Sequence, residues 1–461
     1  MYMGKKKRGA LIGAAIAGAA GCLVYHHCRK RNEEDPFMTA LELQRFKLQN
    51  RDDNESSATP TSKHRIYAAN CQVSTDMEKT GRNNHCMVIG EPGSGKSRSI
   101  LEPNLLQMDG SYVVIDCLGE LRTKYQSDFE NVGYETKVFD AAHMDQSDHY
   151  NPFEYLRTEQ DIQTLIDCLM QNVPSELADA NVSKKDAARK LLEVLVLYVQ
   201  RFQKKSEQNM VILTTMLKPD SVSKEPGAFL EMLFKEVKDY DPKDPCMEKY
   251  HAFTALPAVM QREARTFVAQ LLLPFQSPTL KNYMRDDDFE LANLGKHKTV
   301  IFVEVPIGDN ATNFLVSLFL TQAMDSLSNA ENECRTYPVT FMLDEFANIG
   351  IIPDLQNKLN AMEETNLSCM MFIQATGQLK ATYPEAHSQI LKGCDAWVYL
   401  GGNELRTMQE LVFMCPQHVG TNHCDHITAA PSLDDFKNLS RENCLIFLKG
   451  EKPICGFKYR Q

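Results

Sequence analysis

Two short stretches, far apart in the chain, carry residue types at spacings suited to chemistry on a phosphate. Gly90-Glu91-Pro92-Gly93-Ser94-Gly95-Lys96-Ser97 fits a glycine, four residues, then Gly-Lys-Ser. An apolar run precedes it and a helix-like run follows, which is the context such a P-loop needs. Glycines let backbone N–H groups curl around phosphate oxygens with no Cβ in the way. The N-terminus of the following helix adds positive dipole. In that arrangement Lys96 reaches the β- and γ-phosphates of ATP and Ser97 ligates Mg²⁺. A chance glycine-rich turn would lack the strand before it and the helix after it.

The second stretch is Phe341-Met342-Leu343-Asp344-Glu345, an apolar strand ending in two carboxylates. Asp344 suits Mg²⁺ and Glu345 suits polarising the attacking water. Alone, such a pair would read better as a helix N-cap. The phosphate loop tips the reading to the metal-and-water role. Gln374 closes the next apolar run, Cys369–Gln374. A polar residue there either senses the γ-phosphate or merely ends the strand, and spacing alone leaves both open. One more cluster, Cys415, His418, His423, Cys424 and His426, has metal-ligand chemistry. Its spacing fits no standard zinc finger, and loop polarity explains it as well.

These residues need a sheet to hold them. Strands are expected at Cys86–Ile89, Tyr112–Asp116, Thr299–Val305, Val339–Leu343, Cys369–Gln374, Ala396–Leu400 and Cys444–Leu448. Many are apolar throughout, as in a parallel sheet covered on both faces. Between Phe153 and about Leu291 strand signals nearly vanish. Helical periodicity takes over in Asp161–Met170, Ala187–Phe202, Gly227–Val237 and Glu263–Phe275. Strands then resume, so this region reads as a helical domain inserted into an α/β domain.

The start of the chain differs again. Lys5-Lys6-Lys7-Arg8 precede an uncharged run from Gly9 to Tyr25, and Arg29-Lys30-Arg31 follow it. The run just reaches the roughly 17 residues a membrane helix needs. Gly9, Gly13, Ala17 and Gly21 recur at the four-residue spacing that lets membrane helices approach closely. A cleaved signal, or a lipoprotein signal ending at Cys22, would export the site away from ATP. An anchor with its C-terminal bulk in the cytosol avoids that conflict. Residues 32–62 are polar and charged and read as a linker. The expected layout is a membrane anchor at 1–31, the linker at 32–62 and a nucleotide-binding domain in two parts, 63–154 and 291–461. The inserted all-α domain occupies 155–290.

Composition sets the outer limits. A chain of 461 residues is too long for one ordinary core. A net charge of -11 argues against a broad basic surface for duplex DNA, though a local strip or a ring of subunits can still make a positive channel. The 14 cysteines include no CxxC pair, and several lie in apolar runs, which suits free thiols in a reducing cytosol.

An ordered series of motifs resembles one known family. It comprises Asn83-Asn84 before the P-loop, Ser147-Asp148-His149-Tyr150-Asn151-Pro152-Phe153, and Leu343-Asp344-Glu345-Phe346-Ala347-Asn348-Ile349-Gly350. Gln374 with Gln378-Leu379, and Cys444-Leu445-Ile446-Phe447-Leu448-Lys449-Gly450 with Pro453, complete it. From about Asn84 to Lys458 the chain resembles the type IV coupling proteins of conjugative secretion systems, of TraG/TraD type. These belong to the FtsK–HerA group of RecA-like motor ATPases.

The resemblance implies a membrane-anchored, hexameric ATPase with a RecA-like fold. Its all-α insertion would meet a relaxase on single-stranded DNA or another secreted substrate, and the ring would feed this to a type IV secretion channel. Its place would be the inner membrane, with the ATPase domain cytosolic. Gln374 becomes the sensor residue. Three departures stand out. One membrane run is present where the family usually has two. Asp116-Cys117-Leu118-Gly119-Glu120 replaces the usual Asp-Pro-Lys-Gly-Glu. The stretch from Ala361 to Ser368 lacks the arginines expected before the sensor strand, which leaves Lys358 or Arg406 as candidate cations. Without such a cation the protein would be nearer to an ATP-binding platform with slow turnover. A chromosomal DNA motor of the same superfamily is a third reading, disfavoured by the N-terminal run and the insertion.

Overall fold

The computed structural model describes Leu43 and residues 64–460, apart from 219–228, 306–312, 330–334, 364 and 415–431. The expected anchor (1–31), all of the linker but Leu43, and the cluster from Cys415 to His426 lie outside the described residues.

Among the described residues there are eleven strands: β1 His64–Ala68, β2 Cys71–Ser74, β3 Cys86–Ile89, β4 Ser111–Asp116, β5 Glu135–Asp140, β6 Thr299–Glu304, β7 Val339–Leu343, β8 Leu367–Ile373, β9 Ala396–Tyr399, β10 Asn443–Leu448 and β11 Ile454–Phe457. β1 and β2 form a separate hairpin, and the other nine make one sheet in the order β11-β10-β9-β3-β8-β7-β4-β6-β5. From β9 to β5 the strands run parallel. β10 and β11 are antiparallel additions at one edge. The central strands are buried along their whole length, the consequence of helices on both faces. The fold is the expected α/β P-loop arrangement.

Between the short turn Pro152–Tyr155 and β6, every described element is helical. The helix Glu159–Gln171 starts with a capping box between Thr158 and Asp161. The helix Val182–Phe202 is the axis of the insertion. Its 21 residues span roughly 30 Å. Leu191, Leu192, Val194, Leu195 and Val196 are all fully buried, so it is wrapped by its neighbours rather than lying on a surface.

The motif from Ser147 to Phe153 carries the chain from the sheet into this insertion. Asp148 Oδ2 accepts from the Val138 N–H of β5 at 2.7 Å. The buried Tyr150 hydroxyl bonds Gln322, and its ring meets Phe139, Phe289 and Phe319 edge-on. On the return, Asp288 Oδ2 accepts from the His149 N–H at 2.9 Å, and Asp287 Oδ1 accepts from the Asn151 N–H at 3.3 Å. Entry to and exit from the insertion are therefore tied together at the base.

Candidate active site

β3 delivers the P-loop to the edge of the sheet where the parallel strands end. Gly93 and Gly95 adopt positive φ, 77° and 95°. Side chains other than glycine resist that backbone region. A Cβ on Gly90 would come within 2.3 Å of Ser94 Oγ and 3.0 Å of Leu400 Cβ. The loop is therefore a cradle that only these glycines permit. Helical turns begin at Ser97, so their N-terminus points into the loop.

Sheet order, not chain order, assembles the rest. β8 lies between β3 and β7, so Gln374, just past β8, stands between the P-loop and the acidic pair. Lys96 is buried, donates to Gly90 O at 2.9 Å and lies 3.5 Å from Glu345 Oε1. Ser97 Oγ donates to Asp344 Oδ2 at 3.2 Å. Gln374 Nε2 donates to Glu345 Oε2 at 2.9 Å, and Asn348 Nδ2 reaches the same oxygen at 3.3 Å. Lys96, Ser97, Asp344, Glu345 and Gln374 thus converge on one place.

Burial, and then the neighbouring Glu345 charge, push the Asp344 carboxyl up. Its own contacts with the Glu345 N–H, Lys96 and Ser97 oppose that shift. A carboxylate so placed gains most from a cation. Glu345 sits at φ 47°, in the left-handed region. For a residue with a Cβ that conformation costs about 1–3 kcal/mol, and such outliers gather at functional sites.

The donor set fits a nucleotide with its metal. Hard oxygens on Ser97 and Asp344 face each other. Ser94 Oγ is buried and has no hydrogen-bond partner among the described residues.

Glu91, not singled out from the sequence, ties the loop to the segment after β9. Its Oε1 accepts from the Asn403 N–H at 2.6 Å, and its own N–H bonds Gly401 O at 3.1 Å. No sequence signal marks these contacts, because the partners lie more than three hundred positions away.

The family model for type IV secretory system conjugative DNA transfer matches residues 40–411. The chain belongs to that family. No curated protein matches it. Among solved structures, the plasmid coupling protein TrwB, in complex with the ATP analogue ADPNP, aligns with a TM-score of 0.65 at 15% identity, covering 92% of this chain and 93% of that chain. TrwB with ADP and Mg²⁺ gives 0.64 at 15% identity, with the same coverage. VirB4 of Thermoanaerobacter pseudethanolicus gives 0.53 at 13% identity, over 87% of this chain and 98% of that one. The fold is shared with these proteins.

The two candidate cations of this family member fare differently. Lys358 precedes β8, at the edge where strands begin, opposite its own P-loop. Its side chain is 11% exposed and ion-paired with Asp325. Its ammonium is therefore held by that carboxylate. Arg406 lies after β9, on the P-loop edge, half-exposed and bonded to Glu410 Oε1 at 3.1 Å. In the stretch lacking arginine, Glu363 accepts from Asn83 Nδ2 at 2.7 Å and Thr365 is buried. Another cation does stand against it: the Arg335 guanidinium donates to Thr365 O.

Proposed function

We propose that this chain is an ATP-driven coupling protein. It binds ATP with Mg²⁺, hydrolyses it, and passes a relaxase–DNA complex or another secreted substrate to a conjugative type IV secretion channel. The observation that supports the reading is the convergence of Lys96, Ser97, Asp344, Glu345 and Gln374 at one sheet edge, within hydrogen-bond or ion-pair reach of one another, in a chain of this family.

Ser97 and Asp344 would hold the Mg²⁺, which, when bound, neutralises charge on the phosphate oxygens. Lys96 is already desolvated, so its attraction for a phosphate is stronger than in water. Glu345 orients the attacking water and takes its proton. Gln374 holds the Glu345 carboxylate in place. Hydrolysis by the single subunit is slow, because the arginines expected before β8 are absent and Lys358 is held by Asp325. Assembly into a hexamer raises the rate.

The run from Gly9 to Tyr25 anchors the protein in the inner membrane with the site in the cytosol. Among the described residues no helix is long and apolar enough to cross a membrane, and this run lies outside them. The inserted region 155–290 meets the cargo. It presents exposed apolar side chains, such as Tyr240 at 86% and Val259 at 63%, while the sheet is committed to nucleotide.

Lys96→Ala tests the site: ATP binding should be lost. If the purified variant binds and hydrolyses ATP like wild type, the assignment is wrong. Deleting residues 1–31 tests the anchor, and recovery of the full chain wholly in the soluble fraction would refute it. Capture of the cognate relaxase–DNA complex by the full chain, weakened by Tyr240→Lys or Val259→Lys, tests cargo recognition.

A further inference from the structure

Lys458 follows β11 and lies beyond residue 411, where the family match ends. Its backbone is pinned, the N–H bonding Glu442 O at 2.8 Å. Its side chain runs to the back of the P-loop. Nζ donates to Ser94 O at 2.9 Å and to Leu400 O at 2.8 Å. Among the described residues no carboxylate pairs with it. Burial pulls its pKa down, and the nearby Cys444 thiol only partly opposes that. An ammonium group is thus half-buried against two carbonyls, which is expensive unless the charge is put to use.

Ser94 C=O and Gly95 N–H belong to one peptide unit. A cation on the oxygen draws electron density across that unit and strengthens the N–H as a donor. In a trans peptide the Gly95 N–H points away from the Ser94 oxygen that Lys458 holds, and no protein acceptor among the described residues takes it. The second carbonyl, Leu400 O, belongs to the segment that packs on Gly90 and receives Glu91. Lys458 therefore bridges the two backbone segments that shape the cradle, and adds positive charge behind it.

We infer that Lys458 is a positioning residue for the nucleotide phosphates, acting through the Ser94–Gly95 peptide and the Leu400 carbonyl. This rests on the nucleotide-binding reading of the P-loop. It makes the β10–β11 hairpin part of the phosphate site, although Lys458 itself touches no phosphate.

The test measures affinity for a fluorescent ATP analogue, steady-state ATPase kinetics and the nucleotide-free melting temperature. It compares the full chain with Lys458→Met, Lys458→Arg and Lys96→Ala. Lys458→Met should weaken nucleotide affinity about tenfold or more, the scale of losing charge-assisted hydrogen bonds. KM should rise in step, while kcat at saturating ATP and the nucleotide-free melting temperature stay near wild type. Lys458→Arg should recover most of the affinity. Unchanged affinity in Lys458→Met overturns the inference. So does a loss of affinity accompanied by equal losses in kcat and in nucleotide-free stability, because that marks a purely structural staple. Should Lys96→Ala also bind normally, the P-loop reading itself has failed. If Lys96→Ala loses binding and Lys458→Met does not, only the role of Lys458 has.

Discussion

Gln374 and Glu345 come from neighbouring strands, 29 positions apart, and the amide of one holds a single oxygen of the other. Gln374 Nε2 occupies Glu345 Oε2, while Lys96 stands 3.5 Å from Oε1. When Lys96 turns to a phosphate, Oε1 is released in a fixed orientation.

Glu345→Gln should keep ATP affinity within a few-fold and lower kcat by about 10²–10⁴, because the amide cannot accept a proton. Gln374→Ala should cost less, about tenfold in kcat, since it frees the carboxylate without removing it. Steady-state turnover beside analogue binding checks both. Turnover by Glu345→Gln at the wild-type rate would remove Glu345 from the mechanism.

Asp344 is stabilised in its neutral form by burial and by the adjacent carboxylate. Its folded pKa lies above its unfolded value, so the folded state holds the extra proton between the two. Stability from this group declines as pH rises through that window, and the full cost remains at neutral pH. Asp344→Asn should therefore raise the melting temperature of the nucleotide-free protein at pH 7.5, with less gain near pH 4. The same variant should lose Mg²⁺-dependent ATPase activity. A lower melting temperature at pH 7.5 would contradict the assignment.

His85 is buried at the base of β3 between two backbone partners. Its Nδ1 accepts from the Cys369 N–H at 3.1 Å, and its Nε2 faces Leu359 O at 3.0 Å. Burial lowers its pKa to about 4. The unfolded chain takes up a proton near pH 6.5 and the folded one does not, so stability falls as pH drops from 6.5 towards 4. At about 1.4 kcal/mol per pH unit, the loss between pH 6.5 and 5 is about 2 kcal/mol. His85→Gln keeps a donor and an acceptor but has no such titration. Urea midpoints at pH 7.5 and 5 should differ less in the variant than in wild type.

Lys358 is paired with Asp325 in a partly buried setting. Lys358→Ala leaves that carboxylate without its partner and should cost about 2–4 kcal/mol in stability. Turnover per folded molecule should not change. Arg406→Ala should do the reverse, sparing stability and slowing the assembled protein. Slower turnover in Lys358→Ala at wild-type stability would show that the lysine reaches a nucleotide after all.

The strands that position the chemistry were legible because both faces are covered. Cys86–Ile89 reads as a continuous apolar run and Val339–Leu343 as one broken only by Thr340, and both are strands at those bounds. β5 escaped notice because it is the sheet's edge strand, and its first half, Glu135-Thr136-Lys137, is partly exposed and polar. β1 and β2 mix His64, Arg65, Gln72 and Ser74 among their apolar residues and so show no apolar run. In the insertion, the helices Met210–Met216 and Pro245–Thr254 were missed, being short and bounded by turn-like residues. The site residues could be named from motif chemistry, but their mutual placement could not. Seating Gln374 between Lys96 and Glu345 depends on the order β3-β8-β7, which no local pattern encodes. Lys358 looked available because Asp325, which holds it, comes from a different helix.

The place of β3 in the sheet has a consequence for how the protein is made. Cys86 of β3 pairs with Met370 on one side and Ala396 on the other. At about 5–20 residues per second, a ribosome takes roughly 15–60 s to synthesise the intervening chain. For all that time the apolar strand Cys86–Ile89 has neither neighbour, and its backbone groups and side chains have nowhere native to go. A nascent chain in that interval exposes the kind of apolar surface that chaperones cover. A transcript cut short before Ala396 would yield a protein with every letter of the phosphate motif and no cradle to hold a phosphate.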